Sequence, residues 1–265
     1  MTPKISILLA INQTTPFLDD AVNSILTQTF TDFEFIIIAN GCTDSLYEQL
    51  SNYQQQDDRI KLYRTELSGF SFALNYGLNI AKGEYIARMD ADDICDKDRF
   101  LIQSNFIDNN QVHILGTDCA FINEKNEVIE NRKFKLLENN REIRKALPYR
   151  NPIIHASMLC PRNILINIGG YKYGHMSEDH ELFIRLSRDK NIIFHNLNYK
   201  LYSYRRHSQQ ITDINKSKNN FCDISGFLFT EFLRTYNIKY LLGIIRVLPL
   251  LRKFYNFILR RKNDK

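Results

Sequence analysis

An α/β fold around a mostly parallel central sheet is what this sequence predicts, on three observations. Short runs rich in Ile, Val and Phe alternate with amphipathic stretches over the first 90 residues, the pattern of βαβ units. The chain has 265 residues and 44% hydrophobic content, enough to bury a sizeable core. Polar residues gather just after the apolar runs, at the strand ends where open α/β sheets bind ligands.

The elements follow in order. Ile5 to Ile11 reads as the first strand, then Pro16 to Gln28 as a helix with Phe17, Ala21, Ile25 and Gln28 near helical spacing. Phe33 to Ala39 is the second strand, Asp44 to Gln55 a helix, Ile60 to Arg64 the third strand, Phe70 to Ala81 a helix, and Glu84 to Met89 the fourth strand. The strand ends Ile11, Ala39, Arg64 and Met89 thus share one edge. A helix is expected near Lys97 to Asn109. Beyond residue 110 the alternation weakens into hairpin-like runs, Ile114 to Gly116, Ala120 to Asn123 and Glu127 to Asn131, then a helix over Asn140 to Leu147. The pattern favours a first half over 1–93, a second half over 94–215 built onto it, and a helical tail over 216–265.

Five scattered cysteines, Cys42, Cys95, Cys119, Cys160 and Cys222, form no CxxC pair, which argues against a zinc knuckle or redox motif and for a reducing cytoplasm. The apolar run after Pro3 and Lys4 lacks the length and cleavage site of a signal peptide. The net charge of +5 conceals an asymmetry: from Arg234 onward nine Lys/Arg face one acid, Asp264, so this tail carries +8 and the preceding chain −3. An anionic partner is expected for the tail alone.

The segment from Tyr85 to Asp93 runs a buried strand into three carboxylates within four residues, Asp90, Asp92 and Asp93. Like charges this close resist ionisation unless a cation joins them. Hard oxygen ligands suit Mg²⁺ or Mn²⁺, which take one or two protein carboxylates and leave the other positions to water and phosphate. The alternative is that Asp92 and Asp93 begin a turn and cap the next helix. Further on, Asp179, Leu182, Phe183 and Leu186 fall at i, i+3, i+4 and i+7, which sets a carboxylate on an otherwise apolar helix face. Helix-terminal capping is one reason for an acid there; chemistry is the other.

Five stretches in this order, "SILTQTFTDFEFIIIANGCTD", "SFALNYGLNIAKGEYIARMDADD", "NPIIHASMLCPRNILINIGGYK", "SEDHELFIRL" and "YRRHSQQIT", resemble glycosyltransferase family 2 across about residues 4 to 210. The resemblance implies a GT-A fold with a Rossmann-like nucleotide-binding half. It also implies a metal-dependent inverting transfer of a hexosyl or N-acetylhexosaminyl group from a nucleotide sugar, a UDP-sugar foremost, to a saccharide hydroxyl. By the same resemblance Asp92 sits on the Mn²⁺ or Mg²⁺ that bridges the donor diphosphate, with His207 close to that metal, and Asp90 lies near the ribose. Asn40, where relatives carry an aspartate, would contact the base. Asp179 would be the general base for the acceptor hydroxyl, with Glu178 on the acceptor. Arg205 and Arg206 are candidates to fork onto phosphate, with a solvent-facing role as the alternative; His207, by spacing alone, reads as a surface residue. Three departures stand out: Asn40 itself, "AINQ" in place of Pro-x-Tyr-Asn on the first strand, and Leu74 in place of an arginine whose contact Arg64 or Arg88 would have to supply.

The tail mixes Arg and Lys with Leu, Ile, Phe and Tyr and has no run near 18 apolar residues. That describes amphipathic helices in an anionic membrane interface, or helices packed on the catalytic domain. Nucleic acid is not an expected partner, because the aromatics sit in an apolar series. A peripheral protein on the cytoplasmic face, extending a lipid-linked saccharide in O-antigen, capsule or lipooligosaccharide assembly, fits both the tail and the resemblance. Competing readings are a non-catalytic sugar-nucleotide-binding assembly protein and a nucleotidyltransferase; the second would need a basic phosphate-activating signature near Gln13 to Phe17, which is missing.

Overall fold

The computed structural model describes residues 2–130, 136–172, 177–207 and 217–248. Gly174, His175 and Met176 just ahead of the fourth motif, the end of the run to Asn131, the Ser208 to Thr212 part of the last motif, and the tail beyond Leu248 lie outside the described residues. The first half alternates strand and helix: β1 (Ile5–Ile11), α1 (Leu18–Leu26), β2 (Phe33–Asn40), α2 (Asp44–Gln56), β3 (Ile60–Thr65), α3 (Phe70–Ile80) and β4 (Tyr85–Arg88). The sheet order here is β3-β2-β1-β4, all parallel, with Ile5 opposite Phe33 and Leu8 opposite both Ile36 and Arg88. The order reverses between β1 and β4, so a crevice forms beyond their C-terminal ends.

Both faces of this sheet are covered, and side-chain alternation sorts them. Ile5, Ile7, Leu9, Phe35 and Ile37 pack with α1 and α2 through Leu18, Val22, Ile25, Leu46 and Leu50. Leu8, Ile36, Ile38 and Ile86 pack with α3 through Ala73, Leu74 and Leu78. Leu74, at the position of the missing arginine, is thus core.

The second half continues the same sheet. It runs β5 (Ile94–Cys95), α4 (Arg99–Asn109), β6 (Ile114–Ile122), β7 (Val128–Glu130), α5 (Asn140–Ala146), β8 (Leu159–Pro161), α6 (Arg162–Asn167), α7 (Glu178–Leu186) and β9 (Phe194–Arg205). β8 pairs antiparallel to β4, then β6, β9 and β5 follow, with β7 on β6. The runs Ile114 to Gly116 and Ala120 to Asn123 prove to be one strand, β6, whose register against β9 shifts at Thr117, Asp118 and Cys119. That bulge breaks the apolar alternation that sequence reading depends on.

Two helices follow, α8 (Ser217–Thr235) and α9 (Ile238–Val247), antiparallel partners joined through Tyr236 and Asn237. α8 explains why α7 is buried from His180 through Leu186 rather than on one face alone: Phe227 packs its ring 5.3 Å from the His180 ring. No helix among the described residues is long and apolar enough to cross a membrane.

The turn into β4 is tightly drawn. Ser6 Oγ donates to Glu34 Oε1 at 2.6 Å and accepts from the Gly83 N–H at 2.8 Å. A Cβ on Gly83 would stand 2.5 Å from the Ser6 nitrogen, against backbone that cannot yield. Gly83→Ala is therefore expected to destabilise the fold by about 1–3 kcal/mol, read as a lower midpoint in urea unfolding.

Candidate active site

The carboxylate loop leaves β4 at the crevice. Arg88, the last residue of β4, is 1% exposed; its guanidinium donates to the Met89 carbonyl at 2.9 Å, pairs with Asp90 and lies 5.0 Å over the Phe70 ring. Burial pulls this guanidinium's pKa down, but Asp90, Tyr171 and Tyr202 outweigh it and keep the charge. Asp92 Oδ2 is 2.9 Å from His207 Nε2. Burial and then Asp90 raise the Asp92 carboxyl above its ordinary range, with His207 opposing. Asp93 is buried and accepts the Arg205 backbone N–H at 2.7 Å; burial, Asp90 and Asp92 push it well above the carboxylate range. Neither aspartate caps α4, whose N-cap position is Asp98.

Arg205, expected on a donor phosphate, sits inside the protein with no exposed surface. Its Nε donates to the Asp92 carbonyl at 2.7 Å. Its other nitrogens reach the Asn123 carbonyl at 3.0 Å, Asn126 Oδ1 at 2.5 Å and Asp20 Oδ2 at 3.2 Å, and the group lies 4.2 Å over Phe17. Arg205 therefore fastens the acidic loop to β9 and to the β6–β7 turn. Arg206 is exposed and lies 4.3 Å over Phe121.

Asn40 is likewise turned inward. Its NH₂ donates to the Ile11 carbonyl at 3.2 Å and its Oδ1 accepts the Gly69 N–H at 3.1 Å, so it stitches β1, β2 and the start of α3. Asn12, Gln13 and Thr14, just past β1, are exposed polar side chains at this mouth. Arg64 pairs with Asp44 at 2.6 Å, at the start of α2.

The second pair of carboxylates opens α7. Asp179 Oδ2 accepts from Asn151 Nδ2 at 2.7 Å and Oδ1 accepts the His180 N–H at 2.6 Å. Burial raises Asp179, and His180 and Asn151 oppose that. Glu178 is pushed up to about 7 by burial and the neighbouring Asp179; Arg88 pulls it down and Asp90 pushes it up. Those last two influences tie α7 to β4: Glu178 feels Arg88 and Asp90 from the first half, and Tyr171 feels Arg88, Glu178 and Asp179 alike. Beneath them, His155 Nε2 lies 2.8 Å from the Tyr171 hydroxyl, and burial together with Arg88 keeps this histidine neutral. The Asn75 amide grips both backbone groups of Tyr171, at 2.7 and 2.8 Å. Ser177, with φ +90°, holds the left-handed conformation as the chain enters α7, a strained position for a side chain with a Cβ.

Asn151, Tyr171 and Tyr202, whose hydroxyl accepts the Asp90 N–H at 3.3 Å, complete the site. Sequence reasoning passed over them because each is distant in the chain from the carboxylate it serves, and only Asn151-Pro152 carries a local turn signal. Asp92 and His207, the two side chains expected to hold a divalent cation, lie together at the crevice and hydrogen-bond to each other. Among the described residues no three acidic, histidine or cysteine side chains form a closed cage. An open set suits an ion that keeps positions for water and phosphate.

The model of the family described as Glycosyl transferase family 2 matches residues 6–183. The O-antigen biosynthesis glycosyltransferase WbnJ of Escherichia coli is 34% identical over 244 residues, 91% of this chain and 93% of that protein. An uncharacterized glycosyltransferase of Haemophilus influenzae is 28% identical over 233 residues, 82% of this chain and 70% of the relative. Among solved structures, S. aureus TarS 1–349 in complex with UDP-GlcNAc aligns with TM-score 0.69 at 16% identity, over 86% of this chain and 66% of that one. The mannosyltransferase PcManGT of Pyrobaculum calidifontis, in complex with GDP-Man and Mn²⁺, aligns with TM-score 0.64 at 14% identity, over 93% of this chain and 70% of that one. At these identities the two structures speak for the fold, which is GT-A.

The inward placement of Arg205 has a measurable consequence. Arg205→Lys keeps the charge but loses the fork, and is expected to lower stability by about 3 kcal/mol in ligand-free unfolding. Arg206→Ala, losing an exposed cation–ring contact, should shift it by less than about 1 kcal/mol.

Proposed function

The chain belongs to glycosyltransferase family 2, and we propose that it moves a hexosyl or N-acetylhexosaminyl group, with inversion, from a nucleotide sugar to a saccharide hydroxyl. The observation that carries this reading is the meeting of Arg88 and Asp90 with Glu178 and Asp179 across one crevice. The donor lies along the ends of β1 and β4, its diphosphate toward Asp92 and His207 and its ribose toward Asp90. Asn40 shapes the base pocket by holding the β2 end against Gly69, and Asn12 and Gln13 offer the base their side chains. A UDP-sugar is the first donor to try, in keeping with the fold neighbour that binds UDP-GlcNAc.

In the transfer, Asp179 takes the proton of the acceptor hydroxyl as its oxygen attacks the anomeric carbon from the side opposite the diphosphate. The new C–O bond forms as the bond to the β-phosphate oxygen breaks, so the configuration inverts in one displacement. Asn151 orients Asp179 and, by donating to it, favours the ionised form. Glu178 binds the acceptor. Mn²⁺ or Mg²⁺ held by Asp92 and His207 would supply positive charge against the departing diphosphate. The likeness to an O-antigen enzyme along nearly the full length of both chains supports a surface polysaccharide as the product. A lipid-linked acceptor, and peripheral contact with the inner face of the membrane through the C-terminal region, accord with the basic tail.

Screening nucleotide sugars for nucleotide release that requires Mn²⁺ or Mg²⁺ tests the reading. Asp92→Ala should abolish the metal requirement together with most of the activity, and Asp179→Asn should lower kcat by about 10²–10⁴-fold. Full turnover in both variants would sink the mechanism, and release of pyrophosphate instead would favour a nucleotidyltransferase.

The carboxylate pair also dictates a pH response. Protonation removes the base, and both pKa values are raised, so kcat/KM should climb with pH along an acid limb lying above the ordinary carboxylate range. Glu178→Gln deletes the like charge beside Asp179, which eases its ionisation, so the limb should move to lower pH. A limb moving upward, or Asp179→Asn proving milder than Glu178→Gln, would reverse the two roles.

A further inference from the structure

The outer face of the α8–α9 hairpin is apolar and exposed. Phe229 and Leu233 on α8, Tyr236 at the turn, and Ile238, Leu242 and Ile245 on α9 are each between 47% and 82% exposed. The last three stand at i, i+4 and i+7, one stripe of the helix. Lys239 and Arg246 flank the stripe, and no exposed carboxylate lies between Ile224 and Leu248: Glu231, the acid there, is buried between Arg188 and Arg234.

Beside the stripe a cavity of about 470 Å³ opens between α5, the end of α7 and the start of α9, lined among others by Arg141, Arg144, Lys145, Ser187, Lys239 and Tyr240. None of its lining residues is acidic. Arg144 is held by the carbonyls of Ser187 and Asp189, whereas Arg141, Lys145 and Lys239 extend into solvent. Carboxylates in the neighbourhood have partners of their own: Glu142 Oε2 accepts from Asn139, Asp189 acts on Arg144, and Glu231, which acts on Tyr240, is paired with Arg188 and Arg234.

We propose that this face docks on an anionic phospholipid bilayer, the apolar stripe entering the interface and the Arg141, Lys145 and Lys239 cavity receiving headgroup phosphates. The proposal deepens the membrane contact stated above by naming its surface. Charge selects the occupant. Residues 249–265 add six Lys/Arg and one Asp, so folding that segment back, or apposing a second copy, would set cations against cations. An anionic surface answers both the cations and the apolar stripe. Ser187 caps the far end of α7 and Glu178 begins it, so the cavity lies one short helix, roughly 13 Å, from the proposed base.

Co-sedimentation with phosphatidylcholine vesicles, with and without phosphatidylglycerol, tests this on the full chain. Binding should require phosphatidylglycerol. It should fall about fivefold in Lys239→Ala, in Arg141→Ala and in Lys145→Ala, on the scale of one surface cation each, and by more than about tenfold in Leu242→Asp. Leu242 is nearly half exposed, and an unchanged thermal midpoint will confirm that the variant folds. Binding that ignores Leu242→Asp, binding without phosphatidylglycerol, or a dimer that Leu242→Asp dissociates would each overturn the assignment. UDP binding with Mn²⁺, followed in the same samples, separates the two proposals: its loss with vesicle binding intact counts against the catalytic reading alone.

Discussion

Three arginines without appreciable exposed surface, Arg88, Arg99 and Arg205, stand beneath the loop that carries Asp90, Asp92 and Asp93, and the rest of the site depends on them. Their forks end largely on main-chain carbonyls: Arg99 on Arg88 at 3.1 Å and on Met158, Arg205 on Asp92, Arg88 on Met89. These contacts fix the path of the backbone as well as its charge. Three carboxylates within four residues would repel one another apart without compensation from below. With it, the inner acid Asp93 is tied to the Arg205 N–H, while Asp90 and Asp92 remain partly exposed toward the crevice. Burying each guanidinium costs several kcal/mol of hydration, which only a dense set of acceptors can offset. The density observed around Arg205 and Arg99 is therefore a condition for the loop, and explains why arginine rather than lysine serves there.

The sheet does the remaining assembly. β8 pairs antiparallel to β4, with Ala87 opposite Leu159, so everything that follows β8 is referred to the strand that ends at the carboxylates. Asn75, on α3 of the first half, then clamps Tyr171 just before α7, and Arg185 on α7 donates to the carbonyls of Ile168 and Gly170. A Cβ on Gly170 would meet Asn75 Oδ1 at 2.2 Å, so the clamp needs glycine there. The entry to α7 is thus held from both sides, and the strain at Ser177 is sustained by a frame already closed around it.

The parallel half was legible because apolar alternation and turn chemistry act locally, and every strand from β1 to β4 falls within a residue or so of its expected bounds. The motif carboxylates were legible too, since three acids after a buried strand make an electrostatic problem visible in one dimension. Orientation was not. Whether Arg205 points to solvent or inward depends on its parity in a strand whose pairing with β6 is shifted by a bulge. The resemblance implied a base contact for Asn40; its amide is used by Ile11 and Gly69, partners that only the folded sheet brings near. The full burial of α7 was equally hidden, since α8 supplies the covering face from some 40 residues away.

The two carboxylates of α7 differ in their surroundings. They are adjacent in sequence and share a helix start, so the helix dipole favours ionisation of both. What separates them is hydrogen bonding. Asp179 receives two N–H donors, from Asn151 and from His180, which stabilise its charged form. Glu178 is buried beside that charge and near Asp90, with Arg88 as its counterweight, and is raised to about 7. Burial and the neighbouring Asp179 thus hold Glu178 above its ordinary range, while the donors from Asn151 and His180 oppose the same effect of burial at Asp179. In the mechanism we propose, that difference suits Asp179 to the base role and Glu178 to contact with the acceptor.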